Sequence, residues 1–186
     1  MKDRRVLKTE KSIREAFLFL LKEKNLNQIT VSEISKQADL GRGTFYLHYR
    51  DVYDLYDHVE NELYKELEQI FDNSYPSIYS KNLMNLTEGI TKYIFENRDV
   101  FLTFIRLEGS EKTISKLKDF FSRIVLQEAV KLSGSVQINA DYDAVEAIFT
   151  VSGVVGVLEE WLNNGIALPQ EQLASLLHRI LVKLNT

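Results

Sequence analysis

Residues 42 to 49 read Arg-Gly-Thr-Phe-Tyr-Leu-His-Tyr, a run whose side chains suit contact with a polyanion better than covalent chemistry. On a helix, Phe45 and Tyr49 fall four positions apart and face inward. Gly43, Thr44 and Leu47 then share the opposite face, flanked by Tyr46 and His48. Small and apolar groups at the centre of such a face suit base edges, and hydrogen-bonding groups on its flanks suit phosphates. Gly43 lets the backbone approach closely. The structural alternatives are Tyr46 as a packed aromatic and His48 as a helix-end cap.

That face has to be held by local elements, and the flanking sequence supplies them. Two short helices separated by Asp39-Leu40-Gly41 have the layout of a helix-turn-helix. Val31, Ile34 and Ala38 form the stripe of the first, which Thr30 opens as N-cap with Glu33 three residues on, a capping box. Asp39 is acceptable where the turn needs a left-handed backbone. Upstream, Ile13, Ala16, Phe17, Leu20 and Leu21 follow the helical period. Downstream, Val52, Leu55, Tyr56, Val59, Leu63, Leu67 and Ile70 mark a long helix that begins at the cap Asp51, with Asp54 in its first turn. This helix joins a head to a body.

The charge divides along the same line. Residues 1–50 hold 11 Lys+Arg against 6 Asp+Glu, whereas residues 51–186 hold 12 against 21, so a head of +5 precedes a body of −9. A basic head on an acidic body implies a phosphate-facing module attached to something else. The alternative is a chance run of solvated charge.

In the stretches Thr30-Val31-Ser32-Glu33-Ile34 and Ala38-Asp39-Leu40-Gly41-Arg42-Gly43-Thr44-Phe45-Tyr46-Leu47-His48-Tyr49, the sequence resembles the TetR family of transcriptional regulators. The run Gly-Thr-Phe-Tyr-x-His-Tyr is its most specific part, and the resemblance is strong over about residues 8–58. It implies a homodimer that binds a palindromic operator in double-stranded DNA, acts as a repressor and is released by a small-molecule effector. Carried over by position, it assigns Arg42, Thr44 and Leu47 to the base side, with Ser32 as a further base contact. Thr30, Tyr46 and His48 become phosphate contacts. The chain departs from the family pattern at Val52, where a lysine is common, at Gly41, where a capping serine is common, and at Asp39, which replaces a turn glycine. A coregulator of the same family, acting through protein contacts with weak or no DNA binding, is the alternative that these departures keep open.

The body continues in helices. Leu83, Leu86, Ile90, Tyr93 and Ile94 keep the period after a loop around Ser74-Tyr75-Pro76-Ser77. Between Gly109 and Gly134, Ile114, Leu117, Phe121, Ile124, Val125 and Leu132 keep it too, as do Leu173, Leu176, Leu177, Ile180, Leu181 and Leu184 at the end, with Pro169 suited to the first turn of that last helix. No segment alternates long enough to be a strand. The fold is therefore expected to be all-α, about nine helices, with a three-helix helix-turn-helix domain over residues 1–50 and a helical ligand-binding and dimerisation bundle over 51–186. Tyr93, Phe101, Phe104, Phe120, Phe121, Phe149 and Trp161, with Arg106 for an anionic group, are candidate ligand contacts, although aromatics at helical spacing are core first. An uncharged or weakly cationic, aromatic-compatible effector suits them. Ser152, Gly153 and Gly156 let helices approach closely, and with Leu173, Leu177 and Leu181 they form the candidate dimer seam of a four-helix bundle. The same seam packed inside one subunit is the alternative.

Other chemistries find little support. The chain has no cysteine, which removes disulfides, thiolate metal sites and cysteine nucleophiles, and suits a reducing cytoplasm. His48, His58 and His178 lack metal-ligand spacing, no nucleophile elbow or phosphate loop occurs, and Glu159-Glu160 are adjacent rather than helical neighbours. No enzyme activity and no cofactor are expected; a hydrolase or isomerase on a helical bundle would have only unclustered carboxylates to use. The charged start and the six-residue apolar run Ala16–Leu21 do not make a signal peptide. The longest uncharged run, Ala147–Leu158, falls short of the ~20 residues that cross a bilayer and reads as a buried helix, so no membrane partner is expected.

Overall fold

The computed structural model describes residues 3–74, 80–106, 110–133 and 140–184. Among them every regular element is helical: α1 (Arg4–Glu23), a 3-10 turn (Leu26–Gln28), α2 (Val31–Gln37), α3 (Arg42–Tyr46), α4 (Val52–Asn73), α5 (Ser80–Glu96), α6 (Arg98–Arg106), α7 (Ser110–Ser133), α8 (Ala140–Leu162) and α9 (Gln170–Leu184). The all-α expectation holds. Residues 75–77 of the anticipated loop, and Gly109 and Gly134, lie outside the described residues.

The helix ends follow local chemistry. Thr30 Oγ1 accepts from the Glu33 amide at 3.3 Å while the Glu33 carboxylate accepts from the Thr30 amide at 3.0 Å, which completes the capping box. Lys24 pairs with the same carboxylate. The Lys24 ammonium first, then the Thr30 hydroxyl and amide, hold the Glu33 carboxyl at about 2, against 4.5 for an unconstrained glutamate. Its stabilisation is therefore complete above about pH 4.5 and is lost as pH falls towards about 2. Thermal unfolding followed from about pH 5 to about pH 2 should cost Glu33→Gln less of its midpoint than the wild type, because the variant lacks that contribution throughout.

The chain divides into two units at a boundary inside α4, between Lys65 and Glu66. In the first, α1 buries Ile13, Ala16, Phe17, Leu20 and Leu21, the stripe that the sequence spacing marks. Ile34 of α2, Phe45 of α3 and Leu55, Val59 and Leu63 of α4 complete this core. Val52 is buried here too, so the position that departs from the family pattern is a core residue rather than a surface one.

In the second unit α5 packs on α9 and α7 on α8. Gln170 Nε2 donates to Thr91 Oγ1 at 2.7 Å and ties the start of α9 to α5. Arg98 donates to the Leu162 carbonyl at 2.6 Å and to Asn164 Oδ1 at 2.7 Å, closing the end of α8, where Asn164 takes a left-handed φ of 63°. The expectation that the uncharged run forms a buried helix is only half met. Ala147, Val151, Val155 and Leu158 are buried, but Val145, Ile148 and Phe149 on the other side of α8 are exposed. A Cβ added at Gly153 or Gly156 meets nothing within 4 Å. A run that is apolar all round has no polar face to say which side the chain itself covers.

Candidate nucleic-acid interface

The turn that presents α3 is closed by backbone bonds. Asp39 has φ 54°, the left-handed conformation its sequence position suggests, and the Leu40 amide donates to the Ser35 carbonyl at 2.9 Å, as in a Schellman closure. Gly41 then caps α3 without a side-chain bond. Although α3 ends at Tyr46, amides of His48 and Tyr49 still donate to the Phe45 carbonyl at 2.9 and 3.0 Å, so the helical facing persists to Tyr49. Phe45 and Tyr49 are buried with ring centroids 5.7 Å apart.

The opposite face is open. Leu47 is 84% exposed and Tyr46, edge-on to Phe45 at 5.7 Å, is 57% exposed. Arg42 and Gly43 are exposed and Thr44 half-buried beside them. Ser32 is exposed in the first turn of α2. The anticipated base-side residues Arg42, Gly43, Thr44 and Leu47 are thus contiguous on α3 and its continuation.

Two of the anticipated phosphate contacts have other engagements. The Thr30 hydroxyl donates to Glu33 Oε2 at 2.7 Å, so its proton serves the capping box. His48 is turned back to α1, its side chain 12% exposed and its Nδ1 3.6 Å from Glu10 Oε1. Tyr46, by contrast, stands exposed on the flank. Arg50, which sequence reasoning passed over, donates from its amide and its guanidinium to the Asp54 carboxylate at 2.9 and 3.0 Å. The Arg50 amide first, then its side chain, keep the Asp54 carboxyl below the usual carboxylate range. The four-residue spacing signals that pair in the sequence; nothing local signals Glu10.

Within the second unit, Phe101 and Phe121 line a cavity of about 20 Å³, bounded also by Leu67 of α4 and Val155 of α8, with Glu159 the one charged residue among those that line it. That is room for about one water. The other aromatic candidates are placed differently. Phe104 and Phe120 are buried as core. Tyr93 is half-buried, edge-on to Phe101 at 6.0 Å. Trp161 stacks on Phe95 at 6.1 Å and donates from Nε1 to the Leu168 carbonyl at 2.8 Å. Phe149 is 67% exposed. The Arg106 side chain lies outside the described residues. Of the seam candidates, Gly153 is exposed, Ser152, Gly156 and Leu181 are half-buried, and Leu173 and Leu177 are turned into the chain's own core. Ile180 and Leu184 hold the exposed side of α9 instead.

Among the described residues no group of three His, Cys, Asp or Glu is placed to hold a metal, and no helix is long and apolar enough to cross a membrane.

Residues 81–183, just over half the chain, match a family described as a transcriptional regulator C-terminal region. A relative in Bacillus subtilis, the uncharacterised HTH-type transcriptional regulator YxbF, is 22% identical over 168 residues, which are 89% of this chain and 42% of that protein. The chain thus spans less than half that relative's length. Among solved structures, the dihydroxyacetone kinase operon activator DhaS superposes with a TM-score of 0.67 at 18% identity over 94% of both chains. A complex of SmeT with triclosan superposes with a TM-score of 0.67 at 15% identity, covering 92% of this chain and 88% of that one. These two likenesses are of fold.

Proposed function

The chain belongs to the TetR family of transcriptional regulators, and on that premise we propose that it binds a palindromic DNA operator as a homodimer, represses transcription there and is released by a small apolar effector. The observation that carries the DNA reading is the exposed face of α3, where Leu47, the most exposed of the described large apolar side chains at 84%, stands with Tyr46 beside Arg42 and Thr44. Apolar and bidentate groups on such a face read base edges in a major groove.

Selection of bound duplexes from a random pool tests the reading. A two-fold symmetric consensus with half-sites about one helical turn apart is expected, and recovery of no consensus overturns it in favour of the coregulator alternative. With the consensus in hand, Tyr46→Phe should weaken all sequences alike, since a lost phosphate bond carries no sequence information. Arg42→Ala and Thr44→Ala should relax preference at particular positions, by ~1–3 kcal/mol for each good contact. Base-scanned binding profiles of the same shape for the three variants would contradict the division of roles.

For the homodimer, the support is the exposed apolar side of α8, with Val145, Ile148 and Phe149 beside Gly153. For the effector it is the cavity, whose lining is apolar but for Glu159 and suits an uncharged apolar group. α4 carries Leu55 and Val59 in the core of the head and Leu67 in the cavity wall. A ligand that enlarges the cavity therefore acts on a helix the head shares. DhaS is named an activator, so the sign of regulation is checked with a reporter behind the recovered consensus; lower expression in the protein's presence, relieved by ligand, is expected.

A further inference from the structure

His48 is the anticipated backbone contact whose ring does not point freely outward. It sits beside Glu10 of α1, Nδ1 to Oε1 3.6 Å, and both side chains are largely covered, 12% and 22% exposed. That is an ion-pair separation rather than a hydrogen bond. We propose that Glu10 is a positioning residue that makes the contact between His48 and a DNA phosphate conditional on a proton. This rests on the operator-binding reading above.

The argument follows from where one hydrogen can sit. A neutral imidazole carries a single N–H, and a carboxylate facing Nδ1 favours the tautomer with the hydrogen there. Nε2 is then the nitrogen left for a phosphate, and it presents a lone pair to oxygens that are themselves acceptors. The imidazolium has donors on both nitrogens, so it alone serves Glu10 and the phosphate together. DNA thus binds the protonated form preferentially. Binding takes up a proton in the neutral range where histidine titrates, and affinity falls as pH rises through it.

The other charged groups around His48 and Tyr49 are already engaged with one another. Arg14 of α1 lies 3.7 Å from Glu62 of α4, which also faces His58 at 3.5 Å, and Asp54 holds Arg50. Burial first, and then the Glu10 charge, push the Tyr49 hydroxyl up to about 12, so it stays neutral throughout. His58, whose ring lies 5.4 Å from that of Tyr49, is the other histidine of this cluster, and it has to be controlled.

The experiment measures affinity of the full chain for its selected duplex from about pH 6 to about pH 8.5 at constant ionic strength. Wild type and His58→Gln should lose about tenfold or more over two pH units, up to about tenfold per unit for each histidine coupled to binding. Glu10→Gln should bind with a flat profile, because a carboxamide can donate to Nδ1 and let neutral His48 carry its hydrogen on Nε2. His48→Gln should be flat as well, which keeps the test valid if Glu10→Gln folds poorly. A wild-type slope in Glu10→Gln or His48→Gln, or a flat wild type, overturns this proposal alone. Absence of binding by every protein at every pH overturns the operator reading, and this one with it.

Discussion

Affinity for the selected operator should fall about 10³- to 10⁵-fold between about 50 and 200 mM monovalent salt, as expected for a dimer that neutralises about 6 to 10 phosphates. Each head would then supply about three to five of these contacts. The first 50 residues hold 11 Lys and Arg, but several are committed within the fold. Lys24 pairs with Glu33, Arg14 with Glu62, Lys11 with Glu15 and Arg50 with Asp54. The exposed Arg4, Arg5, Lys8 and Lys36 are of the right number to supply the contacts. The −9 of the remaining chain works against this attraction at long range, and more strongly at low salt, because the screening length shrinks from about 14 to about 7 Å over that interval. Fluorescence anisotropy of a labelled duplex titrated with KCl gives the slope of log affinity against log salt. A slope shallower than about −2 would mean that phosphates are not neutralised, and would leave the basic head without its proposed purpose. Lys36→Ala, which removes one contact from each head, should reduce the slope by about two, whereas Arg42→Ala should change base preference.

What the sequence made legible about this molecule is mostly what acts over one turn of helix. The Thr30–Glu33 capping box, the left-handed Asp39 and the Asp51 cap, whose carboxylate accepts from the Asp54 amide at 2.8 Å, lie within three or four residues of their effects. Periodicity likewise located the faces of α1 and α4, since each has a polar side to contrast with its apolar one. The pairing of Glu10 with His48 joins residues 38 positions apart, and no local signal announces it. Nor could spacing divide the aromatics of the body: Phe104 and Phe121 sit on equally apolar stripes, yet one is enclosed as core and the other borders the cavity. The same limit explains the dimer seam. Leu173 and Leu177 belong to the chain's own core, and the exposed apolar side of α8 became visible only once the chain's own packing was known.

That exposed side carries the last expectation. Phe149→Asp should convert the protein from a dimer to a monomer at micromolar concentration while leaving the fold of the single chain intact. Phe149 is 67% exposed and Ile148 58%, so in the single chain neither contributes much to the core. Covered by a second copy, a phenylalanine is worth about 1.5–3 kcal/mol of apolar burial. A two-fold interface contains it twice, which gives about 3–6 kcal/mol, or about 10²- to 10⁴-fold in the dimer dissociation constant. Burying an unpaired carboxylate in its place adds to the loss. Gly153→Leu probes the same contact by the opposite route. Its Cβ meets nothing within 4 Å in the chain, so the single subunit accommodates it, but a closely approaching partner helix would be overpacked by about 1–3 kcal/mol. Sedimentation equilibrium with thermal unfolding at low concentration separates association from folding. A wild-type monomer at micromolar concentration, or a Phe149→Asp protein that dimerises as the wild type does, would place the partner surface elsewhere. If the seam is here, Phe149→Asp should also lose most of its affinity for the full palindrome while binding a half-site as the wild type does, because each head would then have to be ordered on the DNA alone.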